Sequence, residues 1–543
     1  METRPAFDVM VVGSGLSGAM AASTLVRSGL RVAMLDVGFD DATARTLVPD
    51  RPFSEIRRTD AQQHRYFLGE ALEGVPTGGV RIGAQLTPPR RFITRGVDQY
   101  LPWRSTNFFP IQSLALGGLG AGWGATCHTF SRTELAKLGI SEPAFHRYYD
   151  EVAAEIGVSG DANGDCASFA LEGVRSLQPP LRLDTNHARL LAAYGRRRNR
   201  LNAAGCFVDR MPLAALSIEH RGRAANPYQD MEFWSDVRKS VYRPRYTIDE
   251  LKRESNFHYL GGCLAIRFAE TAAAVQVDAR HLPTGTRETL TAARLILCAG
   301  AINSARLALN SLGLARIRTP LLCNPYVYYP CINLRMLGRA AADDRSSLAQ
   351  LRALVFARDS AEDPLLLQFY SYRSLLLFKL VQQLPLPTRQ GLLTVRLLMN
   401  ALTIVGLHHP DAAADGKWMR ILTVERDRLP EIEFQYDSDA HVKRQQRARE
   451  RHAIRCLRMI GCFPVGRVDP GAAASIHYAG TLTDGHATDA RIGTDDVGRL
   501  RGCRRVHVAD SSSWRFLPAK GSGFSLMAHA RYIASRVAGE LRS

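Results

Sequence analysis

The stretch FDVMVVGSGLSGAMAASTLVRSGLRVAMLDVG (7–38) restricts the fold more than any other part of the chain. Phe7 to Val12 is a near-continuous apolar run, the pattern of a parallel strand covered on both faces. Gly13, Gly15 and Gly18 follow at G-x-G-x-x-G spacing, with Ser14 between the first two. A helical pattern then runs from Ser17 to about Ser28. Gly29 closes it, RVAMLD reads as a second strand, and Asp36 ends that strand. Each glycine has a physical task. Gly13 permits the tight turn, Gly15 lets backbone approach a pyrophosphate, and Gly18 lets the helix pack close to the sheet. The helix N-terminus offers unpaired N–H groups and a positive dipole end to phosphate. Asp36 lies 18 residues past Gly18, in place to accept hydrogen bonds from a ribose diol. Strand, glycine turn, helix, second strand and acid together predict a dinucleotide site. They do not separate FAD from NAD(P).

Two further segments favour FAD. SLALGGLGAGWGATC (113–127) is crowded with glycine, including Gly117, Gly118, Gly120 and Gly124 around Trp123. So many missing side chains predict backbone wrapped around a flat, bulky ligand. ARLILCAGAINSARLAL (293–309) is again a strand, a small-residue turn at Ala299 and Gly300, and a helix. It returns the chain to the nucleotide sheet.

Length and composition bound the rest. At 543 residues, two interleaved domains are expected. The formal charge is +18, but seven of the seventy basic residues are Lys and the remainder Arg. That bias points to GC-rich, bacterial coding rather than to a nucleic-acid or anionic-membrane partner. The clusters GRRRNR (195–200) and KRQQRARERH (443–452) lack interleaved aromatics and are expected to be solvated helix faces. Ten scattered Cys without a C-x-x-C pair predict buried thiols in a cytoplasmic protein, with neither disulfide nor metal. The apolar stretch GLLTVRLLMNALTIVGL (391–407) is interrupted by Arg396 and Asn400 and is too short for a confident membrane span.

The opening fingerprint, GGLGAGWGA, AGAINSARL, HYAGT and VADSSSWRFLPAKG occur in the order seen in the glucose–methanol–choline (GMC) oxidoreductases, and the chain resembles that FAD-dependent family over its nucleotide-binding portions. The resemblance implies an α/β fold: a Rossmann-like FAD-binding domain built from discontinuous segments, plus an inserted α+β substrate domain with a mainly antiparallel sheet. The expected division is 1–45, 100–150, 220–315 and 470–543 for the FAD domain. Residues 46–99, 151–219 and 316–469 make the substrate domain and connections. Strand-like runs at 320–337, 348–357, 364–372 and 400–409 fit such an insert. The last helix, about Ser525 to Leu541, is expected to close the nucleotide domain.

By the same resemblance His477, in SIHYAGT, is the general base that takes the hydroxyl proton while hydride leaves for the flavin. Asp510, at the end of RVHVAD, joins the FAD site near the ribityl chain or pyrophosphate, with Gly521 and Phe524. The family usually carries a second catalytic His or Asn at the position that here is Gly521. Three arrangements stay open: His477 acting alone, Ser522 or Lys520 as a neighbour, or His408 or His409 reaching in from the insert. His128 follows the Trp123 loop, and His529 is expected to be packed. The Gly loop has no His for a covalent flavin link, which predicts non-covalent FAD. The reading is oxidation of a bulky or apolar alcohol or secondary-metabolite intermediate, with O2 or another electron acceptor. Competing readings are a non-oxidative flavoprotein on the same fold (lyase or decarboxylase), a sugar or aminoglycoside alcohol dehydrogenase, and a non-catalytic NAD-binding protein. The Leu-rich, basic segment 373–407 is expected to be either domain core or an amphipathic surface that contacts a membrane peripherally or admits a long apolar substrate.

Overall fold

The computed structural model describes residues 6–42, 47–72, 88–235, 237–339, 346–357, 360–371, 381, 384–484 and 491–542. Phe7–Val12 sits inside a seven-stranded sheet. Val32–Leu35 pairs with it in parallel on one side and Arg287–Leu297 on the other. Phe257–Leu260 extends the parallel run beyond Val32–Leu35, and Val506–Val508 pairs in parallel with Leu295–Leu297. The first half of Arg287–Leu297 instead pairs antiparallel with Val275–His281, which continues to Cys263–Glu270.

Register decides what this sheet presents. Val12 pairs with both Leu35 and Leu297, and Leu297 pairs with Val508. The residues that follow, Gly13, Asp36, Cys298 and Ala509, therefore leave the sheet along one carboxyl edge, where α/β sheets bind their ligands. The helix Leu16–Arg27 covers one face and packs against the closing helix Gly523–Arg542. That closing helix buries Phe524, Met527, Ile533 and Val537, the face expected from its periodicity.

The second sheet has six strands, all antiparallel. In order they are Cys462–Pro464, Tyr326–Asn333, Leu402–His408, Ser360–Ser371, Ala349–Ala357 and Cys206–Arg210. The four central strands fall on the four apolar runs expected from the sequence. The two edge strands, three and five residues long, carry too little pattern to be read in advance. Alternation divides the faces. Val327, Tyr329, Cys331, Leu365, Leu367, Phe369, Val405 and Leu407 pack in one core with Leu190, Ala193, Cys456 and Leu457 from the helices Thr185–Gly195 and Ala440–Met459. The intervening residues lie on the opposite face, most of them lining a cavity shared with the first sheet. They form rows Tyr326–His408–Leu366, Tyr328–Gly406–Gln368 and Pro330–Ile404–Tyr370. A four-stranded sheet (Thr319–Pro320, Lys417–Ile421, Ile432–Tyr436, Trp103–Arg104) was not expected from the sequence.

The stretch 391–407 is split between the helix Thr388–Leu398 and the strand Leu402–His408. No described helix is long and apolar enough to cross a membrane. The cluster 195–200 is exposed, as expected. Of the segment 373–407, residues 373–380 and 382–383 lie outside the described residues.

Candidate active site

A cavity of about 510 Å³ runs from the fingerprint turn to the inward-facing rows of the second sheet. Gly13, Ser14, Gly15, Asp36, Gly118, Gly120, Trp123, Gly124, Ala299, Gly300, His477, Asp510 and Gly521 line it. The sheet edge and the loop 113–127 thus bring most of the expected residues together.

The glycines separate by what a Cβ would meet. At Gly13, where φ is +99°, it would lie 2.7 Å from the Cys298 carbonyl oxygen. At Gly18 it would lie 1.9 Å from the Gly13 carbonyl oxygen, so helix and turn approach this closely only because Gly18 has no side chain. At Gly15 the nearest protein atom is 4.0 Å away, and at Gly124 and Gly300 nothing lies within 4 Å. The first group is closed by protein, while the second borders open cavity. That distribution fits a dinucleotide in the cradle.

Ser14 and Asp36 tie the two loops together. Ser14 Oγ donates to Asp36 Oδ2 at 2.5 Å and accepts from the Gly117 N–H at 2.9 Å. Tyr259 OH also donates to Asp36 Oδ2, at 2.9 Å. A carboxylate has about four lone-pair sites, so acceptor capacity remains for a ribose diol. Burial pushes the Asp36 carboxyl up to about 6, with the Ser14 and Tyr259 hydrogen bonds opposing. Trp123 is anchored by its Nε1 donating to the Tyr242 carbonyl at 2.8 Å.

Two expected cofactor residues act differently. Phe524 is fully buried, packs against the Tyr149 ring at 5.2 Å and does not line the cavity. It braces the start of the last helix from the core side. Asp510 borders the cavity, but its carboxylate accepts four hydrogen bonds from protein. Gly300 N–H and Ser304 Oγ donate to Oδ2, and Ser512 N–H and Oγ donate to Oδ1. It clamps two cavity-lining turns together and caps the short turn Ser511–Ser513.

His477 is half-buried at the junction of the two sheets, next to the short strand Tyr478–Ala479. Its Nδ1 lies 3.0 Å from Oδ1 of Asn324. The Asn324 amide donates its Nδ2 hydrogens to the carbonyls of His409 at 2.8 Å and Pro518 at 3.0 Å. Those carbonyls settle which end of the amide is oxygen. Oδ1 can only accept, so His477 Nδ1 carries the hydrogen and Nε2 keeps the lone pair. Desolvation lowers the His477 pKa to about 4, leaving it neutral at neutral pH.

His408 stacks on His477, with ring centroids 5.4 Å apart and planes 23° apart, and the Tyr326 ring lies 4.6 Å from the His408 ring, tilted by 35°. His408 is buried, lines the cavity, and its Nδ1 has no hydrogen-bond partner. Burial and His477 hold it well below the usual histidine range. His409, Lys520 and His529 point away from the cavity. His409, one residue on, faces Glu450 at 3.5 Å. Lys520 Nζ is bound at 2.6 Å by Glu134, itself fixed in a capping box with Ser131. His529 Nδ1 accepts from Trp514 Nε1. Ser522 reaches the cavity wall, whereas His128 is fully buried behind it with both ring nitrogens unpartnered. A Cβ on Gly521 would lie 2.6 Å from Thr126 Oγ1 and 3.4 Å from His128 Nδ1, so no larger residue fits there without rearrangement.

Asn324 was invisible in the sequence. It lies in a two-residue link between the strands Leu322–Cys323 and Tyr326–Asn333, with no motif, 153 residues before its partner.

No protein-family model matches the chain. It is 24% identical to paromamine 6'-oxidase of Streptomyces fradiae, over 99% of this chain and 92% of that protein. Pyridoxine 4-oxidase from Mesorbium loti superposes with a TM-score of 0.58 at 14% identity, covering 98% of this chain and 99% of that one. An Aspergillus oryzae formate oxidase variant superposes with a TM-score of 0.60 at 12% identity, covering 99% of both chains. Together with the discontinuous nucleotide sheet and its antiparallel partner, these likenesses show that the chain has the fold of the GMC flavoprotein oxidoreductases.

Proposed function

We propose that this protein is a GMC-type, FAD-dependent oxidoreductase that oxidises a CH–OH group, with His477 as general base and His408 as its partner. The observation that carries this reading is the Asn324–His477 contact, which leaves Nε2 as the proton acceptor in a cavity bordered by the dinucleotide cradle. FAD, when bound, supplies the hydride acceptor. Ser14, Gly15, Asp36, the loop around Trp123 and the Ala299–Gly300 turn would hold it. The loop residues lining the cavity include no Cys, His or Tyr, which supports non-covalent attachment. O2 or another acceptor would take the electrons.

His477 Nε2 receives the hydroxyl proton, and Asn324 holds the ring through Nδ1–H. His408 supplies the second polar contact that Gly521 cannot, orienting the hydroxyl from the substrate sheet. Two imidazoles this close resist joint protonation, so the pair stays neutral and able to accept one proton.

The cavity wall bears on substrate. Of the described part of 373–407, Ile404 reaches the cavity but the leucines do not. Tyr326, Tyr328, Gln368, Tyr370 and Ser371 contribute ring faces and polar groups. That wall suits a bulky, ring-bearing alcohol. Its hydroxyls and amide also favour a polyhydroxylated, sugar- or aminoglycoside-like alcohol, in keeping with the likeness to paromamine 6'-oxidase. The test is an absorbance spectrum of purified protein followed by anaerobic titration with apolar alcohols and aminoglycosides. Flavin bleaching by one class identifies it. Product formation without flavin reduction would replace this reading with a non-oxidative one.

A further inference from the structure

We propose that the helix Thr388–Leu398 and the adjoining turn Leu334–Met336 form a docking face for an anionic lipid bilayer. The helix buries Gly391 and Val395 against the cluster of Val381 and Leu402 and turns Arg389, Leu392, Leu393, Arg396 and Leu397 outward. Leu393 is 54% exposed and Leu397 78% exposed. Asn400 Nδ2 donates to the Arg339 carbonyl at 3.1 Å, bringing the exposed Leu334 and Leu337 beside the helix's C-terminal end. With Leu386, six of the thirteen exposed large apolar side chains among the described residues gather here, too many in one place for ordinary surface scatter.

Charge selects the occupant. Residues 364–410 contain no Asp or Glu, while Arg389 and Arg396 stand among the outward leucines. Leucines flanked by arginine on one exposed helix face match the interfacial mode of binding, in which apolar side chains enter the headgroup boundary and cations meet anionic lipid. A second copy of the chain is a poorer match. A two-fold interface on this face would set arginine against arginine. Ile404 packs against the cluster under the helix and also lines the cavity, so the core beneath the docking face reaches the cavity wall. This inference does not rest on the alcohol-oxidising reading, because its readout is partitioning rather than turnover.

The experiment is flotation of full-length, FAD-loaded protein with phosphatidylcholine vesicles, with and without phosphatidylglycerol, at low salt. The protein should float with the anionic vesicles and stay behind with the neutral ones. Leu393→Ser/Leu397→Ser, and separately Arg389→Glu/Arg396→Glu, should each lower partitioning by more than about tenfold. The remote exposed substitution Ile218→Ser should leave it unchanged. Flavin absorbance and the melting temperature report whether each variant is folded. Absence of flotation with anionic vesicles, or flotation indifferent to both double variants, overturns the proposal. So does a leucine variant that converts a dimer to a monomer in sedimentation, since a second copy would then own the face.

Discussion

His477 Nδ1 donates to Asn324 Oδ1 across 3.0 Å, and the Asn324 amide is held in turn by the His409 and Pro518 carbonyls. One mid-chain link thereby sets the tautomer of a histidine near the C-terminus. Asn324→Ala should slow flavin reduction by roughly 10–10² while FAD stays bound, because the ring loses its orientation but keeps its lone pair. Stopped-flow reduction at saturating substrate measures this. Asn324→Asp should shift the acid limb of kcat/KM upward from near 4, since a carboxylate at Nδ1 favours the imidazolium.

Removing the proposed base should cost more. His477→Ala is expected to cut the reduction rate by roughly 10²–10⁴ with an unchanged flavin spectrum. His408→Ala should cost roughly 10–10², and His408→Asn should recover part of it, because an amide can also hydrogen-bond a hydroxyl. A reduction rate unaltered in His477→Ala would remove it from the mechanism.

The fingerprint glycines should respond in two distinct ways. Gly15→Ala meets no protein atom nearer than 4.0 Å, so apoprotein stability should hold while FAD affinity falls. Gly18→Ala forces a Cβ to within 1.9 Å of backbone, so the fold itself should be destabilised. Thermal melts with and without added FAD separate the two.

The Lys520–Glu134 ion pair is buried on both sides. Lys520→Met leaves the Glu134 charge without its cation, and breaking such a pair costs about 3–5 kcal/mol. Denaturant melts of Lys520→Met and of the double variant Lys520→Met/Glu134→Gln check this. The double variant should be the more stable of the two.

Acid should unfold the protein early. Burial lowers His477 and His529 to about 4 and His507 to about 3, and holds His128 and His408 well below the usual histidine range. Below the ordinary histidine pKa of about 6.5 the unfolded chain binds protons that the folded chain refuses. Stability is therefore retained above about pH 6.5 and lost as pH falls toward 4, by up to about 1.4 kcal/mol per pH unit per histidine. The melting temperature should drop across that window, and His529→Phe should shallow the slope.

The parallel strand, glycine turn and first helix were legible because each is written in adjacent residues. Phe7–Val12 is apolar throughout, and Gly13, Gly15 and Gly18 are the residues such a turn requires. The four central strands of the second sheet were legible for the same reason. Trp103–Arg104 and Thr319–Pro320 were not, since two residues carry no period and exist as strands only through the partners they meet. Phe524 carries the same lesson: its place after the glycine turn suggested the cofactor, but packing against Tyr149 directs the ring inward.

By itself the sequence determined the glycine turn of the cradle, because short-range sterics leave such a turn few conformations, while His477 was marked as a base only by the family resemblance. Tertiary structure alone decided how that base is held and accompanied. Asn324 reaches His477 from 153 positions away, and His408 arrives on a strand whose register with Tyr326–Asn333 places it over the same ring. Those contacts follow from how two sheets pack, and no local pattern encodes them.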